Sequence, residues 1–315
     1  TTMAEIAAVL AEKGQEIPID VPFPERTTIG GLAATGFAGP RRLLSGSLKD
    51  AIIGCEYVRG DGLVAKAGGL VVKNVSGFEI PRFLHGSWGA LAVLTSINLK
   101  VSPRPRSEAT VQAEWRDVAA AVASMHELAR RIPSLAAIGI EVGDGSVISS
   151  CRVMGREEAV NATVEQIAAV LAADRAVIPT SESREFWQEY VNAWAPPRSG
   201  TQVVIGVRPS EVGGTVNAIR AALAGADRRA TLSIAPGLGS IRVRLAAGDD
   251  DVPIWPLSRL GELPELTTGV LESGPDSVRK AADPWGPRPQ GLALMAEIKR
   301  QFDPGNILNR GRLFI

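Results

Sequence analysis

Between Thr27 and Thr95 the chain sets glycines beside small hydroxyl and amide side chains in three segments separated by short apolar stretches. The first holds Thr28, Gly30, Gly31, Thr35 and Gly36; the second opens at Gly46-Ser47; the third carries Asn74, Ser76 and Gly77 and ends in Gly86-Ser87-Trp88-Gly89. Glycine lets a backbone approach a ligand closely and adopt positive φ. Successive N–H groups in such turns make concave anion sites. Thr28 and Thr35 add hydroxyl donors, and the Asn74 amide offers both a donor and an acceptor. The chemistry such residues can do is to hold a large phosphate-bearing cofactor by its backbone-facing side. Taken singly, Gly30–Gly36 also reads as an ordinary glycine-rich turn, and Asn74–Gly77 as a turn between a strand and a helix.

These segments need elements to position them. Thr2 and Glu5 form a capping-box pair at the head of a short helix. Ile52 to Val58 and Leu63 to Ala65 flank Gly60-Asp61-Gly62 and read as a hairpin. Leu91 to Val101 reads as a strand that ends at Pro103 and Pro105, and this proline pair marks a domain boundary. Beyond it the period changes. A strand at 109–115, a helix at 118–132, strands at 136–142 and 147–153, a helix at 157–173 and an extended 176–179 give the order β-α-β-β-α-β, the ferredoxin-like motif. A partial second round follows, with helix 186–194, strand 202–207, a helix capped by Ser210, and strands 232–235 and 241–245. Residues 248–290, rich in Gly, Pro and Asp, read as loops with one short helix, and Leu292 to Gln301 as a closing helix.

Composition limits the function classes. The chain has 315 residues, 45% hydrophobic and 22% charged, with zero formal net charge. That allows a sizeable core and about two domains. No basic block marks a nucleic-acid surface. No apolar run approaches the ~20 residues of a membrane span. The two cysteines, Cys55 and Cys151, cannot supply an iron–sulfur cluster and read as small buried hydrophobes. The two histidines, His85 and His126, belong to no metal-ligand spacing and read as core or surface residues.

Five blocks in order resemble the FAD-linked oxidases of the vanillyl-alcohol oxidase type, with a likeness to the FAD-binding accessory subunits of bacterial glycolate oxidase. They are Thr28-Ile29-Gly30-Gly31 with Ala34-Thr35-Gly36, Gly46 to Asp50, Lys73 to Glu79, Gly86 to Thr95, and Phe302-Asp303-Pro304-Gly305-Asn306-Ile307-Leu308-Asn309-Arg310-Gly311-Arg312. Ala90, Ala92 and Arg310 depart from the family pattern. The family's first subdomain, with its own pyrophosphate loop, is not recognisable before Thr27, so the chain reads as a fragment or as a flavin site completed elsewhere.

The resemblance implies an α+β fold: a partial FAD-binding domain at 1–105, a ferredoxin-like α+β cap domain at 106–285, and a C-terminal segment at 286–315 that returns to the FAD domain. The cofactor implied is FAD, at Thr28, Gly30, Gly31, Thr35, Gly36, Asn74 and Gly77, with backbone contacts from Val93 and Leu94 and with Asn309 near the flavin ring. The side chains of Val93 and Leu94 read as core. The blocks name no catalytic residue. Catalytic relatives that oxidise 2-hydroxy acids carry a histidine-rich motif in the cap domain. Here Gly143-Asp144-Gly145 is followed by no histidine.

The resemblance therefore implies an FAD-binding subunit of a glycolate oxidase complex, with a catalytic FAD subunit and an iron–sulfur subunit as partners. It implies a cytoplasmic protein, associated with the inner membrane at most peripherally through those partners, and no nucleic-acid partner. Two other readings stay open: a self-sufficient FAD-dependent oxidoreductase, and a non-catalytic scaffold with an incomplete FAD site. Arg41 and Arg42 read either as an anion contact or as an exposed pair. Trp187, Trp194, Trp255 and Trp285 read as core filling, with a docking face near Trp194-Ala195-Pro196-Pro197 as the alternative.

Overall fold

The computed structural model describes residues 1–70, 79–143, 145–171, 175–225, 230–245, 268–281, 283–286 and 288–313. Asn74 and Gly77, together with Lys73, Asp144 and Trp255, lie outside the described residues. The chain divides into two compact units, Thr1–Arg104 with Arg288–Ile315, and Pro105–Pro287.

The first unit is built on a three-stranded antiparallel sheet with Ile52–Arg59 at its centre, Val64–Gly68 on one side and Ala92–Leu99 on the other. Val58 faces Val64 and Val93 across the two ladders, and Tyr57 faces Leu94. One apolar cluster gathers Leu32, Ala33, Leu48 and Ile52 with the first helix, Met3–Ala11. A second gathers Cys55, Tyr57, Leu84 and Leu91 with Ile298 and Phe302 of the closing helix, Leu292–Phe302. Phe302 also meets Phe83, ring centroids 5.6 Å apart, and its carbonyl accepts from Gly60 N–H. The C-terminal helix is thereby part of the same core as the first hundred residues.

Two local expectations change here. Thr28–Gly36 is not a turn but a helix, Ile29–Thr35, capped by Thr28 and closed by Gly36 at φ +70°. Gly30 and Gly31 sit in its first turn without positive φ, because the Thr28 side chain accepts from Gly31 N–H and so caps a helix there. Gly46 to Asp50, which by the family resemblance reads as a strand, starts another helix, Leu48–Ala51. Here Ser47 and Asp50 form a reciprocal capping box that outweighs the short apolar pattern.

The second unit is one eight-stranded antiparallel sheet. Its strand order is Thr268–Ser273, Thr201–Gly206, Ser240–Leu245, Ala230–Ala235, Ala137–Val142, Val147–Gly155, Ser107–Glu114 and Arg175–Ile178. The last four are one ferredoxin-like half in its 4-1-3-2 order, with the helices Val118–Arg131 and Glu157–Val170. The first four repeat that order and are joined to the other half through Ile234 and Ile140. The second round is therefore complete in its strands. Its fourth strand, Thr268–Ser273, lies where loops were expected; the short helix expected there is Asp276–Ala281. Composition hid this strand, because its burial comes from pairing with Thr201–Gly206 rather than from an apolar run of its own.

Alternation divides the sheet into two unlike faces. Val111, Cys151, Ile140, Ile234, Val243 and Ile205 point to an apolar side shared with helices 118–131 and Val212–Gly225, where Cys151 meets Met125. The other side carries Thr110, Arg152, Glu141, Ser233, Arg242, Arg244 and Gln202. The helix Thr180–Asn192 lies on that polar side, with Ser183 and Trp187 bonded to Thr110 and Tyr190 over Gly139.

Candidate functional site

The glycine-rich segments of the first unit are brought together by backbone hydrogen bonds. The helix 29–35 ends on free carbonyls, as every helix does. Ala33 O accepts from Gly86 N–H at 2.9 Å, and Ala34 O from Trp88 N–H at 2.8 Å. Gly36 lies so near Gly86 that a Cβ on it would come within 3.0 Å of the Gly86 Cα. A side chain there would press on the Gly86 backbone, and the positive φ at Gly36 disfavours one further. The C-terminal tail arrives at the same place, where Asn309 Nδ2 donates to Trp88 O.

The start of the helix 29–35 is mostly satisfied internally. Ile29 N–H reaches Thr1 O, Gly31 N–H reaches Thr28 Oγ1, and Leu32 N–H reaches Thr28 O. Gly30 N–H has no partner among the described residues, and a Cβ on Gly30 would meet nothing within 4 Å. An open N–H in the first turn of a helix is a donor for a phosphate oxygen, which fits the pyrophosphate side of a dinucleotide cofactor. Thr35 contributes less than its type implies, since its hydroxyl donates back to Gly31 O at 2.9 Å.

Of the remaining expected contacts, Leu94 is half-buried and joins both apolar clusters of the first unit. Val93 departs from its core reading: it is 51% exposed, because it points to the opposite face of its strand. Arg41 is not an exposed arginine. It is buried and paired with Glu16 at 2.5 Å. Trp187 and Trp194 are buried too, which removes them from any docking face. His85 is half-buried beside Gly36, with burial, then Lys49, holding its imidazole below the usual range.

Sequence reasoning missed two charged clusters. In the first unit, Lys299 and Asp303 are both buried and pair at 2.5 Å. Lys299 Nζ also donates to Ala90 O and Leu308 O at 2.8 and 2.9 Å, while Asp303 accepts from the N–H groups of Ile307 and Leu308. Burial alone would raise the Asp303 carboxyl. The Lys299 ammonium and the two N–H groups outweigh that and hold it below the ordinary carboxylate range. The i,i+4 spacing of Lys299 and Asp303 was the available signal.

In the second unit, Glu141, Ser233 and Arg242 stand in one cross-strand row. Glu141 accepts from Ser233 Oγ at 2.8 Å. Burial pushes its carboxyl up to about 7, against the opposing pull of Ser233, Tyr190, Arg244 and Arg242. The Tyr190 hydroxyl lies beside Glu141 without the alignment of a regular hydrogen bond, and Arg242 stacks over Trp194 at 3.9 Å. Nothing in the local sequence marks Glu141, because its partners come from three other elements.

Residues 1–77 match the family model described as the FAD binding domain, and residues 284–313 match that of the C-terminal domain of FAD linked oxidases. A VAO-type flavoprotein from Myceliophthora thermophila superposes with a TM-score of 0.66 at 14% identity, over 98% of this chain and 64% of that one. The fold is that of the VAO-type flavoproteins. The descriptions of both matched families name FAD, and the cofactor is FAD. The glycolate oxidase subunit GlcE of Escherichia coli is 36% identical over 167 residues, which are 50% of this chain and 48% of that protein. The glycolate oxidase subunit GlcD of Bacillus subtilis is 26% identical over 349 aligned positions, covering 99% of this chain and 73% of the relative. The chain thus spans about half the length of its E. coli relative. No helix among the described residues is long and apolar enough to cross a membrane.

Proposed function

We propose that this chain is the FAD-binding part of a 2-hydroxy-acid oxidoreductase, working as an accessory subunit of a glycolate oxidase complex beside a catalytic FAD subunit and an iron–sulfur subunit. One observation supports the reading: helix 29–35, loop 86–91 and the tail at Asn309 converge in one compact unit, and the helix and the tail lie in the two segments matched to the FAD-linked oxidase models. Likeness to GlcE and GlcD supports the substrate class and the complex. Bound FAD would supply the two-electron redox chemistry. The residues of this chain would do the holding. Gly30 N–H and Thr28 would meet phosphate oxygens, Gly36 would keep the helix end closed on Gly86, and Asn74, Gly77, Val93, Leu94 and Asn309 would complete the contacts.

The cap unit favours a second reading, a self-sufficient FAD-dependent oxidoreductase. Glu141 is a carboxyl poised near neutral pH with Arg242 and Arg244 on the same sheet face. Reconstituting the chain with FAD and measuring glycolate-dependent reduction of an artificial acceptor, alone and with the partner subunits, separates the readings. Flavin binding with turnover only in the complex supports the accessory role. Turnover by the chain alone, lost in Glu141→Gln, supports the second reading. Failure to bind flavin under either condition removes both and leaves the scaffold.

A further inference from the structure

Four non-glycine residues have positive φ among the described residues, and two of them meet at one junction, Trp88 at +54° and Asn309 at +43°, with Asn306 at +46° three residues before Asn309 in the same tail. Asparagine tolerates this region, whereas a bulky aromatic seldom enters it and must be held there by its surroundings. Trp88 is held on every side. Its N–H reaches Ala34 O at the end of helix 29–35, its carbonyl accepts from Asn309 Nδ2, and the Arg312 guanidinium lies over its indole, 4.6 Å from the ring centroid. Two residues on, Lys299 ties Ala90 O to Leu308 O and Asp303. The helix, the loop and the tail are therefore linked in series through the peptide groups flanking Trp88.

A glycine at position 88 would make the two backbone bonds without steric strain. The tryptophan adds its ring, and with it the Arg312 stack. A strained residue kept by three separate contacts points to positioning rather than packing. The elements so fixed are the helix whose first turn offers Gly30 N–H and the tail that offers Asn309.

We propose that Trp88 is a positioning residue of the FAD site, clasped by Asn309 and Arg312, so that docking of the C-terminal tail sets the affinity for the cofactor. This rests on the FAD reading above and adds control of that site from the tail. A merely structural tail would hold the closing helix in place without altering flavin affinity.

The test titrates FAD into the full chain and into Asn309→Ala, Arg312→Ala and Trp88→Gly, following flavin fluorescence, and measures amide hydrogen exchange of each chain without FAD. Asn309 and Arg312 are exposed, so both alanine variants keep the fold, which their thermal transitions verify. Expected are a weakening of FAD binding by about tenfold or more in each variant, and faster exchange at Gly86 and Trp88 in Asn309→Ala and Arg312→Ala. Trp88→Gly is the sharper case, since it relieves the backbone and still weakens FAD. Binding within about twofold of the parent, or unchanged exchange across residues 86–91, overturns the proposal. If the parent chain takes up no FAD, the cofactor reading falls instead. The exchange measurement then decides the clasp alone: faster exchange in the alanine variants sustains it and unchanged exchange overturns it.

Discussion

Two buried charged clusters, one in each unit, are satisfied in opposite ways. In the first, Lys299 and Asp303 satisfy each other and use their remaining capacity on four backbone groups. In the second, Glu141 Oε1, Tyr190 Oη, Trp194 Nε1 and Arg242 Nε all lie out of solvent without an aligned partner among the described residues. A fully satisfied network fixes one geometry, and a partly satisfied one keeps a group whose charge can change. The first unit thus uses charge to hold the tail, and the second uses it to keep a carboxyl near its titration point.

Removing a charge from each region should have opposite signs. Lys299→Met leaves Asp303 buried without its cation and should cost about 3–5 kcal/mol, read by denaturant unfolding and by proteolytic release of the C-terminal tail. A loss below about 1 kcal/mol would mean that the pair behaves like a surface bridge and would break the comparison.

Glu141→Gln should stabilise the chain near neutral pH. The carboxyl ordinarily titrates at 4.5 and is raised to about 7 in the fold, so the folded state binds the proton more tightly. Its contribution is fully present below pH 4.5, is lost as pH rises to about 7, and is flat beyond. The glutamine variant should lack that slope and be about 1–3 kcal/mol more stable at pH 8, measured by urea unfolding at pH 5 and pH 8. Parallel pH profiles for the two proteins would place the charge of Glu141 in solvent.

The smallest effect belongs to the helix start. Thr28→Ala removes the cap from Gly31 N–H and should cost about 1 kcal/mol, seen as a lower thermal midpoint of the first unit. It sharpens the comparison because it touches helix 29–35, proposed to meet the cofactor, without touching either charge cluster. A weakening of FAD much larger than the loss of stability would assign the hydroxyl to the ligand as well as to the cap.

The chain's local patterns determined much of this protein. The β-α-β-β-α-β order, the hairpin around Gly60-Gly62, the closing helix and the motif blocks at Gly86–Thr95 and Phe302–Arg312 are short-range signals. Period, turn residues and block order need no partner to be read. What lay beyond the sequence depended on partners distant along the chain. Pairing with Thr201–Gly206 made a strand of Thr268–Ser273; the caps of Thr28 on Gly31 and of Ser47 with Asp50, by contrast, were local signals that the glycine pattern masked. Arg41 found Glu16, and Trp187 found Thr110. The junction at Trp88 and the row from Glu141 to Arg242 were decided only by tertiary structure. In both, residues with unremarkable neighbours in sequence are brought together by a sheet register or a helix end, and burial then gives each polar contact an energy that it lacks in the open chain.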